Sequence, residues 1–268
     1  MSEADPMSEV VRLRNEDRIA WLELNRPETL NAIDMNMRRQ LAAALDQVAR
    51  DSGLGALVIT GVGKAFCAGA DLKSAAANPD TSLRRTARTL LHDFQPILET
   101  IARLDKPVIA AVNGAAVGVG MSLVLACDLV VMAKPAFLSA PFINGGLIPD
   151  GGAAWYLTHR IGYARAFQAL VEAERLNADR CLELGLANRV VEPAALDTET
   201  RAWAASLAAR APLALALTKR VARLASSVGL SELLTIEAEL QTFLAGTEDA
   251  REALAAFGEK RPPTFRGK

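Results

Sequence analysis

The sequence predicts an α/β fold followed by a helical tail. Through about residue 150, short apolar runs bounded by Gly, Pro or Asn alternate with segments whose apolar residues recur at helical spacing. Beyond that point the periodicity is almost purely helical. With 268 residues, 51% of them hydrophobic and 23% charged, the chain can bury one large core, or one core with a small helical appendage. That balance is ordinary for a soluble globular enzyme.

Residues 1–8 are acidic and polar and are expected to be disordered; they lack the basic start and apolar centre of a signal peptide. Residues 10–13 and 19–24 alternate as two strands, with Asn15-Glu16-Asp17 as the turn. Asn25-Arg26-Pro27 closes the second strand, because Pro cannot donate to a ladder. Met37, Leu41, Ala44, Leu45 and Val48 mark one face of a helix over 35–50, with Asp34 as its N-cap. Residues 56–60 read as a short buried strand ended by Gly61. A helix follows over 83–104, with a break before Pro96. Then come a buried strand at 107–112, a helix at 119–126 and a strand at 129–132. The tail shows helical periodicity at 163–172, 178–185, 194–210, 212–227, 231–244 and 248–257, interrupted by a short apolar stretch at 186–191. No low-complexity segment and no clear repeat is visible.

Composition excludes several functions. A formal net charge of -1 gives no general attraction to nucleic acid or an anionic membrane. An aromatic share of 5% argues against a stacking platform for single strands. The three cysteines, Cys67, Cys127 and Cys181, are dispersed and odd in number, so neither a disulfide framework nor a zinc pair is expected, and a reduced, cytoplasmic setting fits best. With only two histidines, His92 and His159, no metal site is expected. The longest membrane-span candidate, near 121–133, is interrupted by Asp128.

Two glycine-rich turns carry the chemical signal. Phe66-Cys67-Ala68-Gly69-Ala70-Asp71-Leu72 and Asn113-Gly114-Ala115-Ala116-Val117-Gly118-Val119-Gly120 each place small residues directly after an apolar run. Neither is a nucleotide loop. Gly61-Val62-Gly63-Lys64 is followed by Ala65 rather than Ser or Thr, and Gly114 to Gly120 has the wrong glycine spacing for a dinucleotide fingerprint. Bare N–H groups at such turns suit a developing oxyanion, all the more where Gly118-Val119-Gly120 opens a helix. The same glycines also suit close packing of strand on helix, and the residues alone leave both readings open.

Asn25-Arg26-Pro27 with Asn31-Ala32, Lys64-Ala65-Phe66-Cys67-Ala68-Gly69-Ala70-Asp71-Leu72, Lys106-Pro107-Val108-Ile109-Ala110-Ala111-Val112-Asn113-Gly114, Ala126-Cys127-Asp128, Thr218-Lys219 and the ending Ala256-Phe257-Gly258-Glu259-Lys260-Arg261 resemble the crotonase (enoyl-CoA hydratase/isomerase) family, in order and over nearly the whole chain after residue 8. The resemblance implies a crotonase-like spiral of ββα repeats over 9–195 and a helical trimerisation region over 196–268. It also implies homotrimers that usually pair into hexamers, with no permanently bound cofactor. Coenzyme A enters as part of an acyl-CoA thioester substrate. By motif position the oxyanion donors are the N–H groups of Ala70 and Val119. Ala68, Ala70, Asp71 and Leu72 line the adenine and pantetheine path, and Lys73 sits near the CoA phosphates, where a plain solvated charge is the rival reading. Phe257 and Lys260 reach a neighbouring subunit's CoA.

The chain departs from the hydratase pattern at the two glutamates with which those family members hold and split water. Their positions fall on Ser122 and Phe142. One acid remains: Leu147-Ile148-Pro149-Asp150-Gly151-Gly152 places Asp150 in a turn leading into a helix, where by itself it reads as an N-cap. The resemblance implies instead a proton-moving acid, as in the branch that includes double-bond isomerases and 1,2-epoxyphenylacetyl-CoA isomerases. The expectation is an isomerase in which Asp150 moves a proton between carbons of an enoyl thioester. Phe142 and Leu147 are expected to line its pocket and raise its pKa by desolvation. The competing readings are a hydratase with an unorthodox acid, a non-catalytic acyl-CoA binder and, on poorly placed histidines, a serine hydrolase. Asp71, Asp128, Asp93, Glu99, both histidines and Cys67 are expected to be structural or surface residues.

Overall fold

In the computed structural model, residues 9–72 and 88–268 are described. The chain opens with a hairpin of β1 (Val11–Glu16) and β2 (Ile19–Leu24). The turn is Asp17-Arg18, both at positive φ, rather than residues 15–17: β1 keeps its pairing to the end, with Glu16 opposite Ile19. Helix α1 (Met35–Arg50) buries Met37, Leu41, Ala44, Leu45 and Val48 and is capped by Asp34, which accepts from the Met37 N–H at 2.8 Å.

Three turns of the chain then repeat one plan. Strands β3 (Ala56–Gly61), β5 (Val108–Val112) and β7 (Leu129–Ala133) are each followed by a three-residue strand: β4 (Ala65–Cys67), β6 (Ala115–Val117) and β8 (Phe137–Ser139). Helices α2 (Gln95–Arg103), α3 (Val119–Ala126) and α4 (Ala153–Ile161) follow these pairs in turn. The long strands stack parallel, Ile59 opposite Ala110 and Ala110 opposite Val130. The short ones stack beside them, Cys67 opposite Ala116 and Ala116 opposite Leu138. The result is one six-stranded sheet and one four-stranded sheet, an α/β spiral. Strands buried on both faces read as continuous apolar runs, which is why the long set was visible in sequence. The second sheet was not, since three residues are too few to show a period.

Residues 83–104 are not one α-helix. Residues 83–87 lie outside the described part; a π-helical segment spans Thr89–Phe94, and α2 starts at Gln95 with Pro96 in its first turn. The tail contains α5 (Tyr163–Val171), a two-residue strand β9 (Leu176–Asn177), α6 (Ala178–Glu183), β10 (Arg189–Val191), α7 (Leu196–Ala208), α8 (Pro212–Leu224), α9 (Leu230–Ala245) and α10 (Glu248–Glu259). The apolar stretch at 186–191 ends in β10, which pairs parallel to β7 and completes the large sheet. The core is a single buried cluster running from Val10 to Ala208, so α8, α9 and α10 lie outside it. Among the described residues no helix is long and apolar enough to cross a membrane.

Candidate active site

Two loops from different turns of the spiral meet at Gly69 and Gly118. The segment after β4 runs beside residues 30–33: the Ala68 N–H donates to the Leu30 carbonyl at 2.9 Å, Ile33 N–H to the Gly69 carbonyl at 2.7 Å, and Asp71 N–H to the Ile33 carbonyl at 3.0 Å. This bridge uses the groups on either side of Ala70 and leaves the Ala70 N–H outside it. At the second loop, Gly118 N–H donates to the Ser139 carbonyl at 2.9 Å and α3 begins at the next residue. The Val119 N–H, at the first helical position, has no intrahelical acceptor and sits at the positive end of the α3 dipole. A Cβ on Gly69, whose φ is +98°, would lie 2.9 Å from the Val117 carbonyl oxygen and 3.8 Å from the Gly118 Cα. The glycines therefore let two backbones approach with no side chain between them. Gly120 has the other role: a Cβ there would stand 2.4 Å from the Cys67 carbonyl oxygen, so it serves packing of α3 on β4. The two readings of the glycine loop are divided between neighbouring residues.

Asp150 is not an N-cap. Helix α4 is capped by Gly152, with no side-chain hydrogen bond. The Asp150 backbone carbonyl accepts from Ser122 Oγ at 3.0 Å and from the Ala153 N–H at 3.2 Å, while its carboxyl Oδ1 is buried without a partner among the described residues. Burial alone pushes its pKa above the ordinary carboxylate value. Asp150 and Gly151 stand at the wall of a cavity of about 1050 Å³ whose apolar sides include Leu90, Leu91, Phe94, Leu98, Trp155 and Tyr156. The π-helical segment, α2, α4 and α8 thus supply the desolvating surface. Phe142 and Leu147 do not. The Phe142 ring approaches Gly118, its Cζ 3.7 Å from where a Cβ would sit, and Leu147 is exposed. Trp155 and Tyr156 carry no motif in the sequence; their only signal is their place in the helix opened by Gly152.

Ala70 and Val119 lie outside the lining of that cavity. Ser122 links the two regions. Its N–H donates to the Gly118 carbonyl at 3.2 Å and its hydroxyl to Asp150, so one fully buried side chain on α3 ties the Val119 loop to the acid's turn.

Glu99 and Asp105 share the cavity wall with Asp150, and the acids singled out in the sequence have partners of their own. Asp128 accepts from Lys219 at 2.7 Å, Arg223 at 2.8 Å and the Val108 N–H at 2.9 Å. Asp93 pairs with Arg38 at 3.0 Å. Glu99 reaches the cavity wall but pairs with Arg103 and accepts from Gln95. His159 Nδ1 lies 2.8 Å from the Trp155 carbonyl on its own helix. Burial pushes the Cys67 thiol up to about 12, which leaves it an unreactive buried group. Ala68 is partly buried and Leu72 exposed; Lys73 lies outside the described residues. Phe257 and Lys260 are exposed at the end of α10 and form no part of the Asp150 cavity.

Residues 14–268 match the family model described as enoyl-CoA hydratase/isomerase. The chain belongs to that family, the crotonases. It is 38% identical to a probable enoyl-CoA hydratase of Rhodobacter capsulatus over 261 residues, covering 96% of this chain and 98% of the relative. It is 36% identical to the 1,2-epoxyphenylacetyl-CoA isomerase of Escherichia coli, covering 98% of this chain and all (100%) of the relative. An enoyl-CoA hydratase subunit crystal structure from Geobacillus kaustophilus superposes with a TM-score of 0.90 at 37% identity, covering 97% of this chain and 98% of that one. In this crotonase the two motif positions of the water-splitting glutamates are Ser122 and Phe142. Ser122 reaches the Asp150 turn through its hydroxyl, whereas the Phe142 ring lies against Gly118.

Proposed function

We propose that this crotonase is an acyl-CoA double-bond isomerase with Asp150 as its acid–base group. The observation that carries the reading is the buried carboxyl Oδ1 of Asp150, without a partner among the described residues, on a largely apolar cavity wall. The thioester oxygen of a 3-enoyl-CoA accepts from the Ala70 and Val119 N–H groups. Asp150 takes a proton from carbon 2, and the electron pair delocalises into a dienolate whose charge lies on that oxygen. The donors act where charge develops, so they favour the transition state over the bound ester. Asp150 then returns the proton to carbon 4, giving the conjugated 2-enoyl-CoA and regenerating the carboxylate. The raised pKa of Asp150 narrows its gap to the carbon acid. The residues at the glutamate positions, a serine committed to the Asp150 carbonyl and a phenylalanine, offer no second carboxylate to activate water.

Several relatives are named hydratases, and that reading needs another acid in the same cavity. Among the described residues the other acids on its wall are Glu99, which is already paired with Arg103, and Asp105, beyond the C-terminal end of α2. Ala68, Asp71, Leu72 and Lys73 are proposed to follow the CoA moiety, and Phe257 and Lys260 to reach a neighbouring protomer's ligand in a homotrimer or dimer of trimers. Incubation with a 3-enoyl-CoA and with crotonyl-CoA tests the assignment. The expected result is conversion of the former to its 2-enoyl isomer and no 3-hydroxyacyl-CoA from the latter; rapid hydration with no isomerisation overturns it.

A further inference from the structure

We infer that Arg26 is a positioning residue for the oxyanion site, holding the Ala70 N–H in place through Asp71 and the neighbouring strand segment; this rests on the role proposed above for Ala70. The Arg26 guanidinium lies between three acceptors. Nη1 donates to the Ala32 carbonyl at 2.7 Å, Nη1 and Nη2 each approach Asp71 Oδ2 at 3.2 Å, and Nη1 lies 3.3 Å from Asp34 Oδ2. Glu28 stands at 4.0 Å from Nε on the exposed side. The Arg26, Asp34 and Asp71 side chains are only 12%, 10% and 10% exposed.

These contacts bracket Ala70. Asp71 is the residue after it, and Ala32 precedes Ile33, the residue bridged to Ala70. The backbone of Arg26 is itself fixed: its N–H donates to Asn31 Oδ1 at 2.8 Å, and the buried Asn31 amide donates to the carbonyls of Val62 at 3.0 Å and Ala65 at 2.8 Å. Asp34 also caps α1. One planar fork therefore ties the α1 N-terminus, the 30–33 segment and the loop after β4 into a single body, which a point charge cannot reproduce. A donor aimed at an oxyanion needs its direction fixed before the charge forms. Val119 is fixed by its helix; Ala70, on an isolated bridge, depends on this latch.

The test uses the full chain, bound cinnamoyl-CoA and turnover of a 3-enoyl-CoA. Hydrogen bonds to the thioester carbonyl move the cinnamoyl absorption to longer wavelength. The wild type is expected to show that shift. Arg26→Gln is expected to lose a large part of it, with kcat down on the order of 100-fold, as for the loss of one oxyanion donor, and cinnamoyl-CoA affinity within about threefold of wild type. Arg26→Lys, which keeps the charge without the fork, falls between, and it decides the question if the Gln variant does not fold. A variant that folds and retains the full wild-type shift and kcat overturns the role of Arg26 alone. A wild type with no shift removes the oxyanion site itself, and the role of Arg26 with it.

Discussion

Ser122 Oγ donates to the Asp150 carbonyl across 3.0 Å, so the serine holds the acid by its backbone, while the carboxyl Oδ1 has no partner among the described residues. Ser122 is fully buried and Asp150 partly so, and the Ser122 N–H also donates to the Gly118 carbonyl at the start of α3. Ser122→Ala strands a carbonyl lone pair and loosens the turn. The expected cost is about 1 kcal/mol in denaturant unfolding, with kcat falling more than affinity for the thioester changes.

Asp150 is an acid kept where the fold would prefer none. Its pKa is raised by burial, so the folded protein holds the proton more tightly than the unfolded chain does. Its contribution to stability is therefore full below the unfolded-state pKa and is lost as pH rises through the folded-state value. Asp150→Asn removes the ionisation. Thermal melts are expected to show the variant more stable than wild type at about pH 8, with a gain that shrinks as pH falls toward the ordinary carboxylate pKa. A gain that is larger at the acid end contradicts this sign. In the wild type the same pKa gives the acid limb of kcat/KM, which declines as Asp150 becomes protonated.

Backbone donors escape ordinary mutagenesis, but Val119 offers an exception. Proline is tolerated at the first position of a helix, where its missing N–H breaks no intrahelical bond. Val119→Pro is expected to keep α3 folded, shown by an unchanged far-ultraviolet spectrum, while lowering kcat by about 100- to 1,000-fold. A variant of normal activity removes Val119 from the mechanism.

How much of this was legible in the sequence follows from the range of each interaction. The buried face of α1 was readable residue by residue, because sixteen residues carry several turns of a 3.6 period. Strands β4, β6 and β8, which place the glycine loops, have three residues each and no readable period. The hairpin turn was displaced because Asp17 and Arg18 adopt left-handed φ without a glycine to signal it. The glycine loops were visible, but dividing them between donor and packing roles required the Cys67 carbonyl beside Gly120. The desolvation of Asp150 was anticipated from the wrong side chains, since its cavity wall comes from α2, α4 and α8 rather than from adjacent residues. Arg26 meets Asp71 across 45 positions, a pairing that no local pattern announces.

The outer faces of α9 and α10 expose Leu230, Leu234, Phe243, Leu254 and Phe257, large apolar side chains that a partner surface would cover. Light scattering on the full chain is expected to give three or six times the mass of one chain. Phe257→Asp is expected to shift that mass downward at dilute concentration.

The central claim is that one carboxyl carries a proton between two carbons of the same ligand. It is tested most directly by following a 3-enoyl-CoA with wild type and Asp150→Asn in deuterated water by NMR. The wild type is predicted to give the 2-enoyl isomer with hydrogen or deuterium delivered to carbon 4, and the Asn variant to be slower by about 100-fold or more. Isomerisation at the parent rate in the Asn variant contradicts the account.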